Sequence, residues 1–328
     1  MFWPLIKLLP QKTNFRIVKF APLFGALSLL GCVASLYLTL VPFQPPCAGL
    51  NCGVDFRGGN VIELSTAPRR ADLGDIREAL AGAGLGDVQV QGFSDPTAAM
   101  VRFETPAGVN ANDAVVEVKA TLERALGQVT FPRTEVVGPK VSGELLGKGV
   151  AALLAGIGLM LLYIWLRFGL TFGAVAVTAL AHDVILTFGL FAITRMEFTL
   201  TAVGSILTII GYSINDKIVV LDRVRDNLRK FKRMPLGELV DLSINETLSR
   251  TIITGVTGIM ALGVMAVYGG EALFAFAVSM MFGIVIGTYS SIYVAAPLLT
   301  VFGVGRESPR PAAAPDDDSP AAPARPAR

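Results

Sequence analysis

The sequence predicts a polytopic α-helical membrane protein of six transmembrane helices carrying a small α+β domain on one side of the bilayer. Three observations lead there. The 328 residues are 52% hydrophobic and only 16% charged, with a mean hydropathy of +0.59, outside the range of ordinary soluble domains. Six apolar runs are each long enough to cross about 30 Å of hydrocarbon. Between the first and second runs, strand-like alternation and helix-like spacing take turns over residues 42–148. The net charge of +2 says little, but the basic residues cluster beside the apolar runs. They carry no interleaved aromatic platform, which excludes a nucleic-acid-binding domain.

Taken in order, residues 1–19 hold Lys7, Lys12, Arg16 and Lys19 and no acid. Residues 20–41 form the first span. Its length and its exit, Thr39-Leu-Val-Pro-Phe43, argue against a cleaved signal peptide, whose apolar region is shorter and leaves through small residues. The remaining spans are expected at 149–166, 168–194, 198–221, 251–268 and 272–302. A basic loop at 222–250 carries Arg223, Arg225, Arg229, Lys230, Lys232 and Arg233, and Arg167, Arg306 and Arg310 flank other spans. All fall on the side of the basic N-terminus, so positive charge assigns both termini to the cytoplasm. Residues 303–328, rich in Pro and Ala around Asp316-Asp-Asp318, have too few apolar residues to fold and are expected to be disordered.

On the opposite side, Val54–Leu64 alternates like a strand interrupted at Gly58-Gly59. Residues 71–83 have helical spacing with Asp72 near the start, and 88–93 and 99–104 pair as strands across a turn. Residues 110–126 form a second helix and 130–137 a last strand. The order β-α-β-β-α-β is that of a ferredoxin-like sandwich. It carries no metal-ligand cluster, nucleophile–base pair or phosphate loop, so a binding or moving domain is expected rather than a catalytic one. Cys47 and Cys52 lie just beyond the first span. A small disulfide loop and two free thiols are both open. Cys32, inside the span, reads as a packing residue.

The candidate chemistry lies in the membrane. Gly211-Tyr-Ser-Ile-Asn-Asp-Lys-Ile-Val-Val-Leu-Asp-Arg223 closes the fourth span and sets Asn215, Asp216 and Lys217 where apolar residues belong. A charge at such a position costs about 2.5–3.5 kcal/mol on insertion scales, so its presence points to function. Thr201, Ser205, Thr208, Tyr212 and Asp216 recur at helical spacing and read as a hydrated stripe, with Gly204 and Gly211 allowing close helix approach. In the fifth span Thr247, Arg250, Thr254 and Thr257 do the same, and Arg250 lies at a depth that favours an ion pair with Asp216. His182-Asp183 sits near the middle of the third span, with Asp183 read either as a second proton carrier or as a neutral hydrogen-bonded acid. Gly283, Gly287 and Ser291 of the sixth span form a close-packing face.

Several stretches in sequence resemble the SecF family of Sec translocase subunits, within the SecD/SecF branch of the RND superfamily. They are Val54-Asp-Phe-Arg-Gly-Gly59, Val137-Gly-Pro-Lys-Val141, His182-Asp183-Val184, Gly211-Tyr-Ser-Ile-Asn-Asp216, Val220-Leu-Asp-Arg223, Arg250-Thr-Ile-Ile-Thr254 and Gly287-Thr-Tyr-Ser-Ser291. The resemblance covers residues 12–302. Asn60 stands where the family carries threonine, and the cysteine pair and acidic tail are this chain's own. The resemblance implies a non-enzymatic subunit of the bacterial inner membrane with a periplasmic domain. It implies pairing with SecD into an RND-like twelve-span unit and docking on the SecYEG channel, with YajC and the YidC insertase as further candidate partners. The ligand implied is unfolded preprotein, and the coupling ion is the proton, with no cofactor. Asp216 and Arg250 match the family's proton-pathway pair, and Asp183 and Asn215 are added here as candidates. One charge crossing about 100 mV supplies about 2.3 kcal/mol. Driving a two-state element from 1:99 to 99:1 needs about 5.5 kcal/mol, within reach of a few protons.

Two rival classes remain. A proton-driven RND exporter of small molecules or lipids would normally carry two such halves and larger outer domains in one chain. An intramembrane aspartyl protease using Asp183 and Asp216 would show Gly-x-Gly-Asp, whereas Asp216 follows Ser213-Ile-Asn.

Overall fold

The computed structural model describes residues 13–41, 47–85, 88–93, 95–105 and 108–303. Lys7, Lys12, Arg306, Arg310 and the Pro/Ala-rich tail lie outside them. Six helices are long and apolar enough to cross a membrane. The first, α1 (Ala21–Leu40), follows a 3-10 turn at Val18–Phe20. The second, α5 (Pro139–Phe168), starts at a proline, whose fixed φ suits the first helical turn. Then come α6 (Leu170–Thr194), α7 (Leu200–Lys230) and α8 (Leu236–Tyr268). The sixth is broken into α9 (Glu271–Ser290), a π-helical turn at Ser291–Ala295 and α10 (Ala296–Phe302).

The segment expected as a basic loop at 222–250 is mostly helix. Both α7 and α8 run on past the apolar stretch, and only residues 231–235 turn between them. A polar composition did not stop the helices because Val224, Leu239, Val240 and Ile244 keep an apolar seam between them. Asn227 donates to Ser243 Oγ (2.9 Å) and Glu246 Oε2 (2.8 Å), and Arg223 Nε donates to Glu246 (2.6 Å). The chain before α1 caps this hairpin: the Ile17 and Val18 amides both donate to Asp241 Oδ1 at 2.8 Å.

The extramembrane domain has the expected order: β1 (Gly59–Ser65), α3 (Leu73–Ala81), β2 (Val88–Gly92), β3 (Ala98–Phe103), α4 (Ala111–Leu126) and β4 (Thr130–Val137). The antiparallel sheet is ordered β2-β3-β1-β4. Asp72 caps α3 through the Gly74 amide (2.7 Å) and Asn110 caps α4 through the Asn112 amide (2.9 Å). Ile62, Leu64, Val101 and Phe103 meet Ile76, Leu80, Val118 and Leu122 in a closed core. One expectation is corrected. Residues 54–57 are not strand but a helical turn, α2 (Val54–Arg57), and β1 begins only at Gly59. Gly58 and Gly59 take φ of 77° and 105°, and a Cβ on Gly59 would lie 3.1 Å from Phe103 O, so glycine is needed where the chain turns into the sheet.

Cys47 and Cys52 are joined, which settles the open alternative in favour of the disulfide, with Cα atoms 6.1 Å apart. The small ring they close ties three parts together. The Gly49 amide donates to Thr39 O at the exit of α1 (2.7 Å), and Arg195 Nη1 donates to Gly49 O (3.0 Å). Phe198 N donates to Asn51 O (2.7 Å), and Gly53 N to Phe198 O (3.0 Å), so the ring pairs with the turn between α6 and α7. Arg102 of β3 reaches Cys52 O (3.5 Å) and forms an ion pair with Glu197.

Candidate functional site

The site forms because α6 and α7 bury polar side chains on faces that are otherwise apolar. On α6, Phe172, Val175, Ala176, Ala179 and Leu180 are buried and place Asp183 in the same interior. On α7, Ser205, Ile209, Ser213 and Lys217 follow at steps of four, all within the interior. Close approach of α9 comes from glycine. A Cβ at Gly283 would overlap Ile209, and one at Gly287 would lie 3.0 Å from Ser213 Oγ, as the expected packing face requires.

At the centre Lys217 and Asp183 form an ion pair with no exposed side-chain surface on either partner. Lys217 Nζ donates to Asp183 Oδ2 (2.5 Å), Ser213 Oγ (2.5 Å) and Ser290 Oγ (2.9 Å), which uses all three ammonium protons. Asp183 Oδ2 also accepts from Ser213 and from Ser290 (3.0 Å), and its Oδ1 lies 2.9 Å from His182 Nδ1. The His182 ring stacks on Tyr289 with centroids 6.1 Å apart, while its Nε2 is buried without a partner. Tyr289 in turn bonds Ser28 Oγ (2.9 Å) and donates to Phe24 O (2.9 Å), which brings α1 into the network. The π-helical turn begins at Ser291, directly after Ser290, and π-bulges often mark functional sites.

Asp216, the residue before Lys217, points about 100° away around α7, toward α8. Its Oδ1 accepts from Thr251 Oγ1 at 2.6 Å, and its Oδ2 is buried without a partner. The expected Asp216–Arg250 ion pair is not formed. Arg250 is exposed, and the ion pairs among the described residues do not include it. Its neighbour Thr251 turns inward instead. Asn215 is exposed and joins neither group.

The expected stripe on α7 is out by one residue for much of its length. Ser205 is buried and bonded to Ser279 Oγ (2.9 Å), but Thr201 and Thr208 are exposed. Added Cβ atoms at Gly204 and Gly211 meet nothing within 4 Å, so these glycines do not serve close packing within the chain. The α8 stripe has the same offset, with Thr254 and Thr257 exposed. The reason is local: Thr208, Thr254 and Thr257 each bond a carbonyl of their own helix, so a threonine need not face the interior. Lys217 was thus missed as a site residue. Its signal was the Ser213-to-Lys217 step of four beside the deepest acid.

Six membrane-length helices, three of them joined by a buried ion pair, and a split β-α-β sandwich define a polytopic membrane protein with charges sequestered at bilayer depth. The profile described as "Protein export membrane protein SecD/SecF, C-terminal" matches residues 117–304. The protein translocase subunit SecF of Cereibacter sphaeroides is 41% identical over 315 residues, covering 93% of this chain and 94% of that one. The SecF subunit of Rhodobacter capsulatus is 42% identical over 316 residues, covering 92% of each. The crystal structure of SecDF from Thermus thermophilus, a translocon-associated membrane protein, matches with a TM-score of 0.79 at 32% identity, over 90% of this chain and 39% of that one. SecDF in a super-membrane-facing form matches over the same shares with a TM-score of 0.63. The chain belongs to the SecD/SecF family of protein export membrane proteins, and its matched relatives over nearly full length are SecF subunits of the protein translocase.

Proposed function

We propose that this chain couples the proton-motive force to protein export, in complex with SecD and the SecYEG channel in the bacterial inner membrane, and that Asp216 is the group that takes up the proton. The observation that carries this is the contrast between the two interior acids. Both oxygens of Asp183 have partners, including a lysine ammonium, whereas Asp216 Oδ2 is buried without a hydrogen bond, because the hydroxyl of nearby Ser291 donates to Gly287 O (2.8 Å). A carboxylate in that state is short of one hydrogen-bond donor, and a proton arriving on Oδ2 neutralises the buried charge. Neutralisation weakens the acceptor held by Thr251 and so alters the contact between α7 and α8.

Arg250, exposed on α8 beside Thr251, acts on Asp216 through its charge without forming an ion pair, and in this reading it also meets an acid of SecD. The Cys47–Cys52 disulfide supports a periplasmic position for the sandwich, since such bonds persist in oxidising compartments, and the basic helical hairpin supports a cytoplasmic position for the other end. The sandwich then meets emerging preprotein, with YajC and YidC as further partners of the same complex. The test is export of a preprotein into inverted membrane vesicles carrying Asp216→Asn. Loss of the stimulation by the proton-motive force, with the chain present at parental level, is expected. Full stimulation in that variant would end the reading.

A further inference from the structure

The charged pair at the centre of the molecule has a different character from Asp216. Asp183, Ser213, Lys217 and Ser290 have no exposed surface and come from three helices, α6, α7 and α9. Around Asp183 lie Lys217 and Ser213 from α7, Ser290 from α9, His182 from α6 itself, and Cys32 of α1 within electrostatic reach. Every ammonium proton has an oxygen and both carboxylate oxygens have a partner. Burying two charges is costly unless the geometry also satisfies their remaining hydrogen bonds, and here it does. The space is built for the lysine head, because Gly287 is pared back against Ser213 where any side chain would press on the group.

We propose that Lys217 is a resident cation: its ammonium occupies an oxygen cage of Asp183, Ser213 and Ser290, keeps Asp183 permanently ionised, and pins α6, α7 and α9 together. Lys217 is then a positioning residue. By fixing the rotation of α7 it directs the preceding side chain, Asp216, toward Thr251, and it leaves Asp216 as the exchangeable acid among the described interior residues. This rests on the role given above to Asp216. It also assigns Asp183 to neither alternative read from the sequence, being neither a proton carrier nor a neutral acid.

The experiment compares Asp183→Asn, Lys217→Met and the Asp183→Asn/Lys217→Met double variant in the assembled complex, following proton-driven export as a function of pH. Each single variant leaves one charge buried without its partner and should lose export at least roughly tenfold. The double variant removes both charges together and should recover to within about threefold of the parent, with a superimposable pH profile. Single variants that behave like the parent would overturn the proposal. So would a double variant present at parental level that is inactive, or whose pH midpoint moves, since Asp183 would then be exchanging protons. Should the double variant fail to accumulate, the Asp216→Asn chain decides by infrared difference spectroscopy during acidification from neutral pH. No buried protonated-carboxyl band is expected in it. A band that appears there and vanishes on adding Asp183→Asn would overturn the proposal. Normal export by Asp216→Asn would instead remove the role of Asp216 and leave the spectroscopic result to judge the pin.

Discussion

Gly287 and Gly211 look alike in sequence, each a glycine in an apolar helix, yet their surroundings differ. A Cβ at Gly287 meets Ser213 Oγ at 3.0 Å and its Cβ at 3.2 Å, whereas one at Gly211 meets nothing within 4 Å. Gly287→Val should therefore push α9 from α7 and cost about 1–3 kcal/mol, the usual range for overpacking. Gly211→Ala should leave the stability of the isolated chain unchanged or slightly raised, since alanine favours helix. Thermal unfolding of both variants in detergent checks the pair of outcomes. At this scale the sequence was informative about which residues are unusual and poor on which way they point. Asp183, Asp216 and Arg250 stood out because charge is rare at bilayer depth. Threonine spacing then suggested a direction one residue out of phase on both α7 and α8. A hydroxyl that can bond its own helix carries little directional information, whereas Lys217, which cannot satisfy itself, carried more and was passed over.

The helices and strands were largely legible because they follow period and punctuation: apolar length gave the spans, and Asp72 marked the start of α3. The helix ends in the basic hairpin were not legible. Hydropathy marks where the bilayer ends, not where the backbone hydrogen bonding ends, and α7 and α8 continue well beyond it. At 54–57, period-two alternation in so short a segment could not separate a strand from the helical turn that buries Val54 and Phe56. The turn between α6 and α7 depends on Phe198, whose ring lies 5.8 Å from Phe56, 5.7 Å from Phe188 and 5.4 Å from Phe191. Truncation by Phe198→Ala should cost about 3–5 kcal/mol and be visible as a lowered thermal midpoint. Arg102→Leu should act differently. It strips Glu197 of its partner and should raise protease cleavage at 195–199 while leaving the sandwich folded, as limited proteolysis with fragment mapping would show.

For the molecule as a whole, the bundle is lopsided. Only 11% of the most apolar stretch is buried in each of the first, second and fifth spans, against 56% in the third and 50% in the fourth. The exposed side of α7 also presents Asn215, a polar side chain poorly suited to lipid, in line with Thr201 and Thr208. The chain spans 39% of the matched Thermus SecDF chain, which agrees with a bundle that is part of a larger assembly. Purification of the tagged chain from its native membrane should therefore recover a SecD-like protein in stoichiometric amount. A cysteine at Thr208 should cross-link to that partner. Recovery with an outer-membrane duct and adaptor would favour a small-molecule exporter instead.

The disulfide ring has a mechanical meaning in this setting. It is the one place among the described residues where the exit of α1, the turn before α7 and, through Arg102, the sheet are joined by direct bonds. The sandwich is held to the bundle at this ring and again where β4 runs through Gly138 into α5, so a tilt of the sandwich turns about the line between these two attachments. If the sandwich tilts with these bonds intact, the residues near Phe198 barely travel.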